Sequence, residues 1–285
     1  MKSGAKAHVL LPRRHYVIGD IHGCIDELKA LEAKLTVHAL KSSASPFFIA
    51  AGDLIDRGPD SAAVLRHIRA GIKAGTHAAV LGNHEQMLME IFEEFAPNSV
   101  LGAGVALPRI LRSYRQRHRE SKKSSRHLSI DDYLQLRRLL WIAEGGGATL
   151  ASFGCNPSDV STWCLPPEDL RFLATLPLVW ENEAMVVTHA LCDADSLAAA
   201  RAHVAGAGAE PELHQALSIL WNRQLPKVRV DPTKWHVSGH TVTRGVKVRG
   251  ALGCVQVDSG CVFGGRLSAW CVETRTMVSV KGRSL

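Results

Sequence analysis

Asp20, His22, Asp53, Asn83, His189 and His240 each sit in a short polar cluster directly after an apolar stretch, and together they offer ligands for two metal ions. Two residues apart on an extended strand end, Asp20 and His22 would point the same way and chelate one cation. Asp53 carries a carboxylate that can bridge two cations, and Asn83, His189 and His240 would complete the second. Oxygen and imidazole donors in this mixture suit Mn, Fe or Zn better than Ca, which prefers all-oxygen cages, or Cu(I), which prefers sulfur. Two such ions about 3.5–4 Å apart hold a bridging hydroxide and bind two phosphoryl oxygens, which is the chemistry of in-line displacement at phosphorus. A leaving oxygen then needs a proton. His84 adjoins the ligand Asn83 and is free to face a substrate; Asp56 can hydrogen-bond its ring and keep it protonated, which makes the pair a candidate general acid. Arg57 follows at once, and its planar guanidinium can clamp phosphoryl oxygens as charge develops. The bland alternative for Asp56 and Arg57 is a surface ion pair at a turn. For His8, His38, His67, His77, His118 and His127 the bland reading stands: surface or satisfied core groups without ligand context.

A site drawn from such distant clusters requires elements that end at one edge. Tyr16-Val17-Ile18, 47–51, 78–81, 185–187, 235–237 and 254–257 read as buried strands, and each runs into one of the polar clusters, including Asp258-Ser259-Gly260, to which we assign no ligand role. Helical spacing follows at Ile25, Leu28, Leu31 and Leu35, at Leu65 and Ile68 within 61–70, and at Met87, Ile91 and Phe95. Each of these helices starts beside a cluster, so its amide end faces the site, where a phosphate is favoured. Alternating strands and helices imply a layered α/β fold whose ligands gather beyond the carboxyl ends of the strands. We expect a single catalytic domain over residues 1–285, with a basic, largely helical insertion at about 97–144 over the catalytic face, closed by Gly145-Gly146-Gly147.

With 46% apolar and 21% charged residues the composition is that of an ordinary globular protein. The net charge of +7 is local: the stretch Arg109 to His127 holds eight Lys or Arg and one acid, Glu120, and so carries the whole excess. A domain-wide nucleic-acid footprint is not indicated, and Tyr114 is the one aromatic in the run, too few for base stacking. Arg109 to Arg126 could still receive an acidic or phosphorylated partner, or guide phosphopeptides or polyphosphate to the cleft. Seven cysteines without a C-x-x-C pair read as reduced thiols. With no apolar run of signal-peptide or membrane-spanning length, a cytoplasmic protein is expected.

Gly-Asp-Ile-His-Gly at 19–23, Gly-Asp-Leu-Ile-Asp-Arg-Gly at 52–58, Gly-Asn-His-Glu at 82–85, His189 and Gly239-His240-Thr241 resemble the phosphoprotein phosphatase branch of the calcineurin-like metallophosphoesterases. The likeness runs from about Tyr16 to Trp270. It is most similar to the bacterial and phage-lambda type of serine/threonine protein phosphatase, with support from Asn83 to Met87, from the three glycines before Thr149-Leu150, and from Leu220-Trp221-Asn222-Arg223. The resemblance implies a metallophosphoesterase-type β-sandwich of two mixed sheets flanked by helices. It implies Asp20, His22 and Asp53 on one metal, Asp53, Asn83, His189 and His240 on the other, and a phosphate contact for Arg223; from the donor types we expect two divalent ions, manganese first, with iron or zinc as alternatives. The alternative for Arg223 is a helix-surface residue beside a core Trp221. Thr188-His189-Ala190-Leu191 departs from the pattern, since many relatives have Gly after His-Ala.

Metal-dependent hydrolysis of phosphoserine or phosphothreonine in proteins is therefore the expected activity. The nearest alternative is hydrolysis of diadenosine tetraphosphate, and a lesser one is a binding protein that holds RNA or an acidic partner through the basic stretch. Leaving-group chemistry separates the first two, because a nucleotide phosphate, with a second pKa of about 6, leaves without a proton whereas a seryl alkoxide needs one. By resemblance, symmetrical dinucleotide hydrolases lack the Asp matching Asp56, and decapping or polyphosphatase relatives usually replace the Arg matching Arg57. Asymmetrical hydrolases can carry Asp-Arg-Gly-Pro but tend to lack a match for Glu85.

Overall fold

The structure, a computed structural model, describes residues 11–95, 130–204 and 215–283. Its core strand β1 (Arg13–Ile18) shows how the sequence builds the layers. Successive side chains of a strand point to opposite faces. Tyr16 and Ile18 accordingly enter the apolar cluster shared with the helices, while Val17 enters a second cluster shared with the other sheet. β2 (Ser45–Ala50) repeats the pattern, with Phe48 and Ala50 on the helix side and Phe47 and Ile49 on the sheet side. β3 (His77–Ala79) pairs parallel to β2, and β2 parallel to β1.

Three helices close this half. α1 (Ile25–Leu40) buries Ile25, Leu28, Leu31 and Leu35, the residues whose spacing predicted it. α2 (Ser61–Lys73) starts where Asp60 accepts a hydrogen bond from the Ala63 amide, and buries Leu65 and Ile68. α3 (Asn83–Phe95) follows β3 after three residues. Of the stretch read as an insertion, residues 130–144 are described: α4 (Ile130–Trp141), then a π-helical turn over Ile142–Gly146 that kinks at Gly145 (φ 106°) into α5 (Gly147–Ser152). The basic run Arg109 to His127 lies outside the described residues.

α6 (Pro167–Thr175), β4 (Trp180–Glu181), β5 (Met185–Thr188) and α7 (Ala194–Val204) lead into the second half. There β6 (Trp235–Ser238), β7 (Lys247–Arg249) and β8 (Cys254–Gln256) join β4 and β5 in a sheet ordered β4-β5-β6-β8-β7, while β9 (Arg266–Cys271) and β10 (Thr276–Lys281) return to the first, ordered β10-β9-β1-β2-β3. Both sheets are mixed. β5, β6 and β8 run parallel, with β4 and β7 antiparallel at the edges. Val17, Ile49, Val187, Val237, Val255 and Trp270, all fully buried, fill the space between the sheets. Each such side chain contributes about 1.5–3 kcal/mol on leaving water. The result is the expected α/β sandwich of two mixed sheets flanked by helices. All seven cysteines are free, and among the described residues no helix is long and apolar enough to cross a membrane.

Candidate metal centre

Six parallel strands, β1, β2 and β3 of one sheet and β5, β6 and β8 of the other, release their carboxyl ends at one rim. The polar clusters follow there, and the structure brings Asp20, His22, Asp53, Asn83, His84, His189 and His240 into a single buried group, each no more than 6% exposed. Ligand atoms of Asp53, His22 and His84 converge to within 4.8 Å of one another, and so do those of Asp53, His189 and His240. Asp53 belongs to both groups. Its Oδ2 lies 3.6 Å from His22 Nε2 and 3.8 Å from His84 Nε2, and its Oδ1 lies 3.3 Å from His189 Nε2. Asn83 Oδ1 joins the second group, 2.8 Å from His189 Nε2 and 3.1 Å from His240 Nδ1.

The backbone after Asp20 differs from the extended strand end expected. His22 has φ 45°, so the chain turns between the two residues instead of continuing the strand. His22 faces Asp53 and Arg57, whereas both Asp20 oxygens accept the His240 amide at 3.0 and 3.2 Å. Burial first, then the charges of Asp258 and Asp53, push the Asp20 carboxyl well above the usual range. Asp258, which the sequence reading left without a role, hydrogen-bonds Asp20 and is pushed up to about 6, chiefly by burial. Glu85 was read only as a family marker. It is fully buried and gathers the amides of Gly82 and Asp53 on Oε2 and of Leu54 and Ile55 on Oε1, at 2.8–3.3 Å. Its spacing after Gly82, at the third position of a helix start, was the available signal. We expect Glu85→Gln, which turns amide protons on at least two of those donors, to cost about 3 kcal/mol, read as a lower urea midpoint at unchanged slope.

Do these residues fit metal ions? The ring tautomers say so. His22 Nδ1 donates to the Ile55 carbonyl at 2.7 Å, and His189 Nδ1 donates to the Ala51 carbonyl at 2.7 Å. In the neutral tautomer these bonds set, each ring aims its Nε2 lone pair inward at oxygen atoms of Asp53 or Asn83, an arrangement that suits a cation between them. Arg57 supplies part of that charge here, donating from its guanidinium to His22 Nε2 at 2.6 Å. Burial holds the His22 ring down at about 3, so it stays neutral. His189, against the effect of burial, is drawn up to about 10 by Asp53. Four buried aspartates, Asp20, Asp53, Asp56 and Asp258, gather at this rim, a concentration of carboxyl groups that suits doubly charged ions.

The proposed acid pair sits beside the group. Asp56 is fully buried. Its Oδ2 accepts from His84 Nδ1 at 2.7 Å and from Trp141 Nε1 at 2.9 Å, and its Oδ1 accepts from Thr149 Oγ1 at 2.6 Å. The surface ion pair is excluded, since Arg57 pairs with Glu144 at 3.0 Å. Trp141 and Thr149 come from the segment around the three glycines, which the sequence reading used only as a family marker. A Cβ on Gly145 would meet Arg57 Cγ at 2.5 Å, and one on Gly146 the Trp141 ring at 2.3 Å, so glycine there lets the segment close on the Asp56–Arg57 turn. Among the described residues seven non-glycines have positive φ, and five of them are His22, Asp53, Asp56, Arg57 and His240. Such strain, about 1–3 kcal/mol at each position, gathers where side chains must be aimed.

The cleft above the group is lined by Arg57, Glu144, Arg223 and Asp258, and by the exposed apolar residues Trp221, Val242 and Phe263. Trp221 is 45% exposed and donates from Nε1 to Gln86, which corrects the alternative of a core tryptophan. The Arg57 guanidinium lies over the Phe263 ring, 5.4 Å from its centroid.

Residues 14–189 match the family model described as calcineurin-like phosphoesterase. The chain is 45% identical over 85 residues to a symmetrical bis(5'-nucleosyl)-tetraphosphatase of Hamiltonella defensa, covering 30% of this chain and 29% of that protein. It is 37% identical over 83 residues to a protein of the same name from Pectobacterium atrosepticum, 29% of this chain and 27% of the other. The matched segments span under a third of the length of these curated relatives. A solved structure provisionally described as a diadenosine tetraphosphatase covers 97% of this chain and 96% of its own at 19% identity with a TM-score of 0.51, a likeness of fold.

Proposed function

Because the chain belongs to the calcineurin-like phosphoesterase family, we propose that it hydrolyses the phosphoanhydride of dinucleoside tetraphosphates. As a member of that family it is a metal-binding hydrolase. Phosphoproteins were the first expectation from the sequence; the curated relatives carry the name of a tetraphosphatase, which favours the alternative. The observation that carries the reading is the rim of the cleft, where Phe263 at 57% and Trp221 at 45% exposure flank Arg57 and Arg223. Exposed aromatic faces beside two guanidiniums suit a purine at the end of a phosphate chain, and base stacking on an aromatic ring contributes about 1–3 kcal/mol.

Asp20, His22 and Asp53 would hold one cation, and Asp53, Asn83, His189 and His240 the other, with manganese our assignment and iron or zinc compatible with the same donors. When bound, the pair supplies charge neutralisation at phosphorus and a water acidic enough to attack it. The protein's own groups do the rest. Arg57 and Arg223 bind phosphoryl oxygens, and the α1 and α2 amide ends face the same rim. His84, fixed by Asp56, points Nε2 into the cleft, where it can hydrogen-bond or protonate the leaving oxygen.

That same dyad favours a second reading, phosphate monoesters with alkoxide leaving groups, phosphoserine and phosphothreonine among them. A side-by-side rate comparison with manganese supplied separates the two. We expect kcat/KM on diadenosine tetraphosphate to exceed that on a phosphoserine peptide by at least about tenfold, a difference of 1.4 kcal/mol. The products should be two ADP. Phe263→Ala should raise KM for the dinucleotide about 5- to 100-fold and leave the peptide unaffected. The opposite substrate order would give the site to monoesters.

A further inference from the structure

Glu32 on α1, His67 on α2 and His77 at the start of β3 meet at the amino ends of the strands, at the other end of β3 from Asn83. Glu32 Oε2 lies 2.8 Å from His67 Nε2, and its Oε1 lies 3.1 Å from His77 Nε2. All three ligand atoms fall within 4.8 Å of one another. We propose that they form a divalent-cation site of the zinc class, separate from the catalytic centre, that pins α1 and α2 to the first sheet.

The argument turns on the proton of one hydroxyl. Thr76 Oγ1 lies 3.2 Å from the Gly71 carbonyl and 2.8 Å from His77 Nδ1, so its proton can go to the carbonyl, leaving the oxygen to accept from the ring, or to the ring itself. In the first arrangement a neutral His77 presents the Nε2 lone pair to a carboxylate oxygen. Those two electron-rich atoms, 3.1 Å apart, then hold a metal ion or an extra proton between them, whereas in the second arrangement Nε2–H donates to Glu32. An imidazole whose far nitrogen is anchored by a hydroxyl is the usual arrangement of a metal ligand, since the anchor fixes both tautomer and ring orientation. His77 is also held sterically. A Cβ on Gly71 would come within 2.0 Å of its Nδ1, so glycine is needed there, and the Phe48 ring packs against it with centroids 5.1 Å apart.

Two imidazoles and one carboxylate suit zinc, cobalt or nickel. The His67 side chain is 28% exposed, against 12% for Glu32 and 7% for His77, so a cation can enter from that side and water can complete its shell. Bridging three elements far apart in sequence, the ion would act on stability. It is independent of which phosphate substrate the cleft takes.

Metal counting on the full-length chain tests this. After stripping with chelator and dialysis against zinc, wild type should retain one equivalent more than His67→Ala, while manganese-supported hydrolysis by the two stays within about twofold. Glu32→Gln repeats the comparison without touching either ring, and far-UV circular dichroism checks that both variants fold. Thr76→Val keeps every ligand but removes the anchor, and should weaken zinc at this site about 10- to 100-fold. Equal zinc counts in wild type and a folded variant overturn the proposal and leave an imidazolium–carboxylate ion pair.

Discussion

Asp53→Asn should reduce hydrolysis of every phosphate substrate by about 10³-fold or more, because the cation pair contributes several kcal/mol to stabilising the transition state. The choice of asparagine matters. Asp53 has φ 48°, a left-handed conformation that Asn tolerates better than other side chains. Alanine would add backbone strain to the loss of charge and confuse the two effects. The asparagine oxygen can still accept from the His84 amide, as Asp53 Oδ1 does at 3.1 Å. What disappears is the charge that His22, His84 and His189 surround. Burial alone would raise the Asp53 carboxyl, and those three rings hold it well below its usual range, so it is ionised in the folded protein. Bound manganese, counted by elemental analysis after dialysis, should fall from two equivalents to one or none while circular dichroism stays unchanged. Retained turnover, or an unchanged metal count in a folded variant, would remove Asp53 from its bridging position.

The strands that feed the site could be read in advance because each is a short apolar run ending in a polar cluster, and Tyr16 to Ile18 and 235–237 are examples. The edges were harder. β4 is two residues long and β7 three, and with exposed Lys247 and Val248 the latter offers no buried face to give a period. β10 pairs with β9 through Val278 and Val280 yet lies beyond the last motif, where nothing called for a strand. At the site, the ligand types were legible but their aim was not. Alternation along an extended strand put Asp20 and His22 side by side; the positive φ of His22, packed where a Cβ on Gly58 would meet its carbonyl at 1.9 Å, shows a turn that the apolar pattern did not carry. Asp258 could not be valued without its neighbour, since a buried carboxyl becomes notable only when another, Asp20, lies against it. Trp141 and Thr149 escaped for the same reason. Their partner Asp56 is 85 and 93 residues away, and only folding reveals the contact.

Asp56→Asn carries the other large effect, and its size should depend on the leaving group. Asp56 holds His84 Nδ1 at 2.7 Å, and its own position is fixed by Trp141 and Thr149, so it acts on the reaction through the imidazole. Against the effect of burial, the charges of Asp53 and Asp56 raise His84 above the ordinary histidine range and keep its outward nitrogen protonated. An asparagine oxygen can accept the same hydrogen bond but brings no charge, and the amide would place protons against Trp141 Nε1 or the Thr149 hydroxyl. On a phosphoserine peptide, whose alkoxide must be protonated as it leaves, turnover should fall about 10²- to 10⁴-fold, the usual contribution of a general acid. On diadenosine tetraphosphate the departing nucleotide phosphate has a second pKa of about 6, needs no proton, and should slow by less than about tenfold. His84→Asn should repeat this order with manganese content intact. Equal losses on seryl phosphate, phenyl phosphate and the dinucleotide would instead assign Asp56 to holding the 53–58 turn in its strained conformation. The ratio of the losses is thus informative whichever substrate the wild-type protein prefers. A dyad retained by an anhydride hydrolase would then have to act by orienting the phosphate chain, and its removal would appear in KM before kcat.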